Sequence, residues 1–260
     1  MAFEKIISSY IYYPDPHWIA TPERMGLHAE EVRMPVEPGV QLHAWFFPCS
    51  DPLATLLFCH GNAGNISHRL ENVYYLVEFG FQILLFDYRG YGQSTGEPSE
   101  EGLYLDAETA WAHMIDREET AGIPRIVFGR SLGGAVAVEL GTRVDADGLI
   151  LESTFTSIRT LARLMFPLPL PRLPVKYDSL SKIGGLHTPL LDIHGEQDEL
   201  IPYTDGLALF EAAPEPKAWV PIPGAGHNDT YVIGGQAYFE RLASFARALG
   251  KEVTNDDRNN

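Results

Sequence analysis

Three residues of complementary chemistry follow one another along the chain: Ser131 in Gly129-Arg130-Ser131-Leu132-Gly133, Asp198 in His194-Gly195-Glu196-Gln197-Asp198-Glu199, and His227 in Gly224-Ala225-Gly226-His227-Asn228-Asp229. A serine hydroxyl is a weak nucleophile until a base removes its proton. An imidazole does this well when a carboxylate holds its tautomer and stabilises the imidazolium. Together the three would attack a carbonyl carbon and form a covalent acyl intermediate. Glycines on both sides of Ser131 suit that role, because a nucleophile on a sharp strand-to-helix turn leaves no room for neighbouring side chains. Asp198 is the preferred carboxylate, since four residues after His194 let the loop turn it back beneath His227. Glu196 and Glu199 crowd the same loop, Asp229 is too near its own base, and Asp87 precedes Ser131.

Attack on a carbonyl builds negative charge on its oxygen, which fixed donors must meet. The expected pair is the backbone N–H of Leu132, at the start of the helix after Ser131, and that of Asn62 in His60-Gly61-Asn62-Ala63-Gly64-Asn65. His60 is read as stabilising this turn rather than as catalytic. Asp87 is read as a carboxylate fixing its own turn through backbone N–H groups. The loop is glycine-rich but lacks the lysine and Ser/Thr of a phosphate loop.

The elements that position these residues are legible as continuous apolar runs alternating with helical patterns. Strands are predicted over 32–37 and 40–48, as a hairpin around Pro38-Gly39, then over 54–59, 81–86, 124–128, 148–152, 189–194 and 218–222. Helices are predicted over 69–79, 101–119, 132–141, 204–213 and 236–249. Runs apolar on both faces point to a mostly parallel sheet covered by helices, with the hairpin as its antiparallel edge. In such sheets ligands lie beyond the carboxyl ends of the strands, where His60, Asn62, Asp87, Ser131, Asp198 and His227 all fall.

A chain of 260 residues is long enough for one sizeable α/β domain. Its boundaries are read as an N-terminal extended segment (1–31), the catalytic domain (32–249) with a short cap at 155–177, and a polar tail (250–260). The aromatic N-terminal segment either lies extended across the domain surface or forms a docking patch. The net charge of −16 repels phosphate backbones and anionic bilayers, so nucleic acid is not expected as a partner. No apolar run is long enough to span a bilayer and no secretory signal is visible, so a cytoplasmic protein is expected. Cys49 and Cys59 make no scaffold, and Cys59 reads as a buried free thiol. No metal-binding spacing occurs among the nine histidines, and no metal or cofactor is expected.

Taken together, the His60-to-Asn65, Asp87-Tyr88-Arg89-Gly90-Tyr91-Gly92, Gly129-to-Gly134 and Gly226-to-Asp229 motifs resemble those of the α/β-hydrolases, and more closely the ABHD-type serine hydrolases. The resemblance covers about 32–249. It implies an eight-stranded sheet, a Ser131-Asp198-His227 triad and oxyanion donors at Asn62 and Leu132. It also implies esterase, lipase or protein depalmitoylase chemistry. The chain shows neither the N-terminal hydrophobic segment nor the cysteine cluster that holds several members on membranes. The stretch where relatives carry large caps is short here; within it Leu161, Leu164, Met165 and Phe166 either line an acyl pocket or pack onto the sheet. The expected activity is hydrolysis of small-molecule carboxylic esters of short to medium acyl chains. The alternatives are a thioesterase or depalmitoylase, a peptidase, and a catalytically silent binding protein.

Overall fold

The computed structural model describes residues 11–165 and 176–256. In chain order its strands are β1 (Tyr13–Pro14), β2 (Glu30–Glu37), β3 (Val40–Phe47), β4 (Ala54–Cys59), β5 (Ala63–Gly64), β6 (Phe81–Phe86), β7 (Arg125–Arg130), β8 (Gly148–Glu152), β9 (Leu190–Gly195) and β10 (Lys217–Ile222). The helices are α1 (Leu70–Glu78), α2 (Glu100–Ile115), α3 (Leu132–Gly141), α4 (Ile158–Met165), α5 (Ser179–Lys182), α6 (Tyr203–Ala212) and α7 (Thr230–Asp256).

Eight strands form one sheet in the order β10-β9-β8-β7-β4-β6-β3-β2. The β2/β3 hairpin is the antiparallel edge, and every pair from β6 to β10 is parallel. β1 and β5 make a separate two-stranded parallel ribbon. Alternate residues of the central strands feed two cores, which is why these strands are apolar on both faces. Leu57, Leu84, Val127 and Leu151 pack with Trp111 of α2, Val136 of α3 and Leu209 of α6. Leu56, Ile83, Phe128 and Ile150 pack with Val73 of α1 and with Tyr238 and Leu242 of α7. Chain direction across the sheet reverses beside β4, whose neighbours are β6 on one side and β7 on the other. Loops leaving β4 and β7 therefore open side by side at the crevice where such sheets bind ligands.

The elements differ from expectation mainly at their ends. The strand read as 124–128 continues through Gly129 and Arg130, because both still pair with β8. The last helix starts at Thr230 rather than 236, breaks at Gly235 (φ 52°) and runs to Asp256, into the stretch read as polar tail. The N-terminal segment crosses the domain surface, with Tyr13–Pro14 paired to Ala63–Gly64 and the Trp18 ring in tilted contact with His43 and Trp45. Cys49 and Cys59 are both free, and burial pushes the Cys59 thiol up to about 12. Among the described residues, no helix is long and apolar enough to cross a membrane.

Candidate active site

Ser131 lies between β7 and α3 with φ 55° and ψ −118°, a left-handed backbone that a serine adopts only when its surroundings impose it. The imposition comes from close packing on both sides. A Cβ on Gly133 would sit 1.9 Å from the Cys59 carbonyl oxygen, and one on Gly129 2.4 Å from that of Gly133. The Ser131 N–H donates to the Glu152 carbonyl at 2.9 Å, tying the turn to the end of β8.

The Ser131 hydroxyl reaches His227 Nε2 at 3.1 Å, and His227 Nδ1 donates to Asp198 Oδ2 at 2.8 Å. The imidazole thus has its accepting nitrogen toward the serine and its N–H toward the carboxylate. Asp198 is fixed in turn, since its Oδ1 accepts from the N–H groups of Leu200 (2.9 Å) and Ile201 (2.8 Å). Burial alone would raise the Asp198 carboxyl. The hydrogen bond and charge of His227, joined by these two N–H groups, outweigh burial and hold it below the usual carboxylate range. The other acids of the two loops do different work: Glu199 accepts from the His227 N–H at 3.1 Å and Asp229 from the Gly226 N–H at 2.7 Å, so both shape the histidine loop.

The loop after β4 passes close to Ser131: the space a Cβ would take on Gly61 is 3.5 Å from Ser131 Cβ. Leu132 opens α3, where helix geometry leaves its N–H without an i−4 acceptor. His60 is fully buried and donates from Nδ1 to the Gly61 carbonyl at 2.7 Å, a turn contact as expected. Burial, helped by the Arg69 charge, pushes its imidazole down to about 4. Asp87 does not act on its own turn through N–H groups as expected. Its Oδ1 accepts from the Ile66 N–H at 2.9 Å, across to the far end of the loop after β4.

Leu161 is half-buried and packs against the core that contains Leu57, Val127 and Val136. The side chains of Leu164 and Met165, and the whole of Phe166, lie outside the described residues. A groove of 720 Å³ runs between β10 and α7, lined by Trp219, Ile222, Ala237 and Phe245, and contains none of the three residues above. The chemistry is located by the serine–imidazole–carboxylate geometry instead. Among the described residues, no group of three His, Cys, Asp or Glu comes together to hold a metal.

Comparison with known proteins gives the family. The family model described as serine aminopeptidase, S33 (Hydrolase_4) matches residues 50–179. The Arabidopsis thaliana α/β hydrolase domain-containing protein WAV2 is 36% identical over 263 residues, covering 91% of this chain and 84% of WAV2. The chain belongs to the α/β-hydrolase superfamily. It is a hydrolase by family. Another relative, the Saccharomyces cerevisiae membrane protein YNL320W, is 32% identical over 238 residues, covering 87% of this chain and 82% of its own. In structure, the Pyrococcus furiosus esterase Pf2001 superposes with a TM-score of 0.76 at 20% identity, covering 91% of this chain and 98% of the esterase.

Beyond the residues expected from sequence, this hydrolase carries a buried polar clamp behind the serine. Arg130 Nε lies 3.1 Å from Glu152 Oε1, and its Nη2 donates to the His227 carbonyl at 2.7 Å. Glu152 also accepts from Thr230 Oγ1 and, at 2.5 Å, from Tyr238 Oη. Charge type alone marks Arg130 and Glu152. Only their burial, at 7% and 0% exposure, separates them from surface ions.

Proposed function

We propose that this protein is a serine hydrolase that cleaves small carboxylic esters of short to medium acyl chain through an acyl-enzyme. One observation carries the reading: the unbroken sequence Ser131 Oγ, His227 Nε2, His227 Nδ1, Asp198 Oδ2 at 3.1 and 2.8 Å, beginning on a left-handed serine. In this reading Ser131 Oγ bonds to the acyl carbon as its proton passes to His227 Nε2, and Asp198 stabilises the resulting imidazolium. Charge on the carbonyl oxygen is met by the N–H groups of Leu132 and Asn62. Collapse breaks the bond to the alcohol, which leaves with the proton from His227. Water then attacks the acyl carbon, His227 again taking the proton, and the acid is released with Ser131 restored.

Leu161, Leu164, Met165 and Phe166 serve as the acyl-facing wall in this proposal. Neither cofactor nor metal takes part, nucleic acid is not a partner, and the setting is cytoplasmic. A second reading, cleavage of an N-terminal peptide bond, is favoured by the aminopeptidase description of the matching family model. The esterase reading is preferred because the fold likeness to an esterase extends over 91% of the chain.

Turnover of matched p-nitrophenyl esters and thioesters from acetyl to palmitoyl, together with aminoacyl anilides, separates the readings. Each methylene that enters an apolar pocket gains up to about 0.8 kcal/mol until the pocket is full, so kcat/KM should peak at short to medium chains. A palmitoyl thioester maximum would replace the esterase with a depalmitoylase, and faster anilide cleavage would replace it with an aminopeptidase. Ser131→Ala should abolish all of these activities without changing the circular dichroism. Retention of more than about a tenth of kcat would show that another group is the nucleophile.

A further inference from the structure

The chain between residues 11 and 17 lies far in sequence from every residue given a chemical role, yet its contacts converge on one of them. Asn62 Oδ1 accepts from the Tyr13 N–H at 3.2 Å and from Tyr91 Oη at 2.8 Å, while Asn62 Nδ2 donates to the Ile11 carbonyl. An amide oxygen has two acceptor sites, and both are taken. The Asn62 side chain therefore faces the N-terminal strap, and its purpose is to be held.

The rest of the loop is held the same way. Tyr13 and Pro14 pair in register with Ala63 and Gly64, and the Asp15 N–H donates to the Gly64 carbonyl at 3.1 Å. Asn65 Nδ2 donates to the carbonyls of Asp15 (2.7 Å) and His17 (2.8 Å). The strap is itself anchored on the opposite side, where the buried Tyr12 and Tyr177 hydroxyls meet at 2.7 Å. A loop after β4 that turns through a left-handed Gly64 (φ 80°) has little regular structure of its own to stiffen it. Oxyanion donors contribute only when they are already in place as charge develops.

We infer that the N-terminal strap is the scaffold of the oxyanion hole. Asn62 is a positioning residue through its side chain as well as a donor through its backbone, and Tyr91 is a second positioning residue. The inference rests on the reading of Ser131 as nucleophile and of the Asn62 N–H as oxyanion donor. It makes a specific claim that this reading does not: side-chain truncation at 62, which leaves the backbone N–H in the chain, will cost turnover.

The test uses the full chain with Asn62→Ala, which removes the side chain held by the strap, and Tyr91→Phe, which removes the hydroxyl that donates to Asn62 Oδ1. Active sites are counted by covalent labelling carried to completion with a fluorophosphonate, so that misfolded protein does not enter the rate. For Asn62→Ala we expect kcat per labelled site to fall by roughly ten- to a hundred-fold, below the ~10²–10³ loss for removing an oxyanion donor outright. KM should stay within about twofold, because the ground-state carbonyl gains little from these donors. Affinity for phenylboronic acid, whose tetrahedral adduct puts an oxygen into the same hole, should fall by the same factor as kcat. The pH midpoint of kcat/KM should not move, since Asp198 and His227 are untouched. Tyr91→Phe keeps its buried ring and should show a smaller loss of the same kind, which preserves the test if Asn62→Ala folds poorly. Wild-type kcat per site in both variants, beside an inactive Ser131→Ala, overturns the inference alone. An active Ser131→Ala overturns the nucleophile assignment and the inference with it.

Discussion

The guanidinium of Arg130 donates to the backbone carbonyl of His227 at 2.7 Å, so the residue preceding the elbow serine holds the loop that carries the imidazole. Its charge is balanced at 3.1 Å by Glu152, which has no exposed surface. Removing one partner of a buried pair leaves an uncompensated charge, at a cost of about 3–5 kcal/mol. Arg130→Met and Glu152→Gln should each lower stability by an amount of that order and slow turnover per labelled site. The double variant should be more stable than the sum of the single losses predicts. Simple additivity in urea melts would show that the two side chains do not act as a unit.

Gly133 packs its Cα against the end of β4, where an added Cβ would meet the backbone oxygens of Cys59 at 1.9 Å and of His60 at 2.5 Å. Backbone cannot step aside as a flexible side chain does, so Gly133→Ala forces α3 away from the sheet. Overpacking of this kind costs roughly 1–3 kcal/mol or more. We expect a lower Tm and a displaced Ser131, read as loss of fluorophosphonate labelling in the protein that remains folded. Wild-type labelling at wild-type Tm would contradict the packing described for the elbow.

Acid should destabilise the fold through His60 before it protonates most carboxylates. Burial first, and then the Arg69 charge, hold this imidazole down at about 4, so between the ordinary histidine range and pH 4 the unfolded chain binds the extra proton. Its contribution is present at neutral pH and disappears as pH falls through that window, amounting to about 3 kcal/mol. Asp198, held below the usual carboxylate range, loses its contribution at still lower pH, as pH falls through its folded value. His60→Gln should flatten the urea stability curve between pH 6.5 and 4 relative to wild type. Equal slopes in the two proteins would mean that His60 does not set the acid response.

Asp192 has the opposite sign. It is fully buried on β9, between Leu151 and Trp219 in the strand register, and neither carboxylate oxygen has a hydrogen-bond partner. Burial raises its carboxyl well above the ordinary range, so the folded state binds the proton and stability falls as pH rises past that range. Asp192→Val, similar in size and without the polar cost, should raise Tm, with a larger gain at pH 8 than at pH 5. A loss of stability at both pH values would point to a polar role for this carboxylate.

The glycines beside Ser131 and the alternation of apolar strands with helices are local patterns, and together with the chain order of Ser131, Asp198 and His227 they determined the fold class and the candidate chemistry from sequence alone. Such patterns work because side-chain period and steric exclusion act over a few residues. Strand ends were less legible: β7 runs on through Gly129 and Arg130 because β8 pairs with them, which no propensity in that stretch encodes. Asp87 was misplaced for the same reason, since its acceptor oxygen serves Ile66, on a loop brought alongside by the pairing of β4 with β6. Only tertiary structure decided which ions are buried together, as with Arg130, Glu152 and the carbonyl of His227. It alone also joined the segment at 11–17 to Asn62 and Asn65, about fifty residues away. These contacts depend on strand order at the point where the sheet changes direction. Strand order is a property of the whole packed core, and no single stretch of sequence carries it.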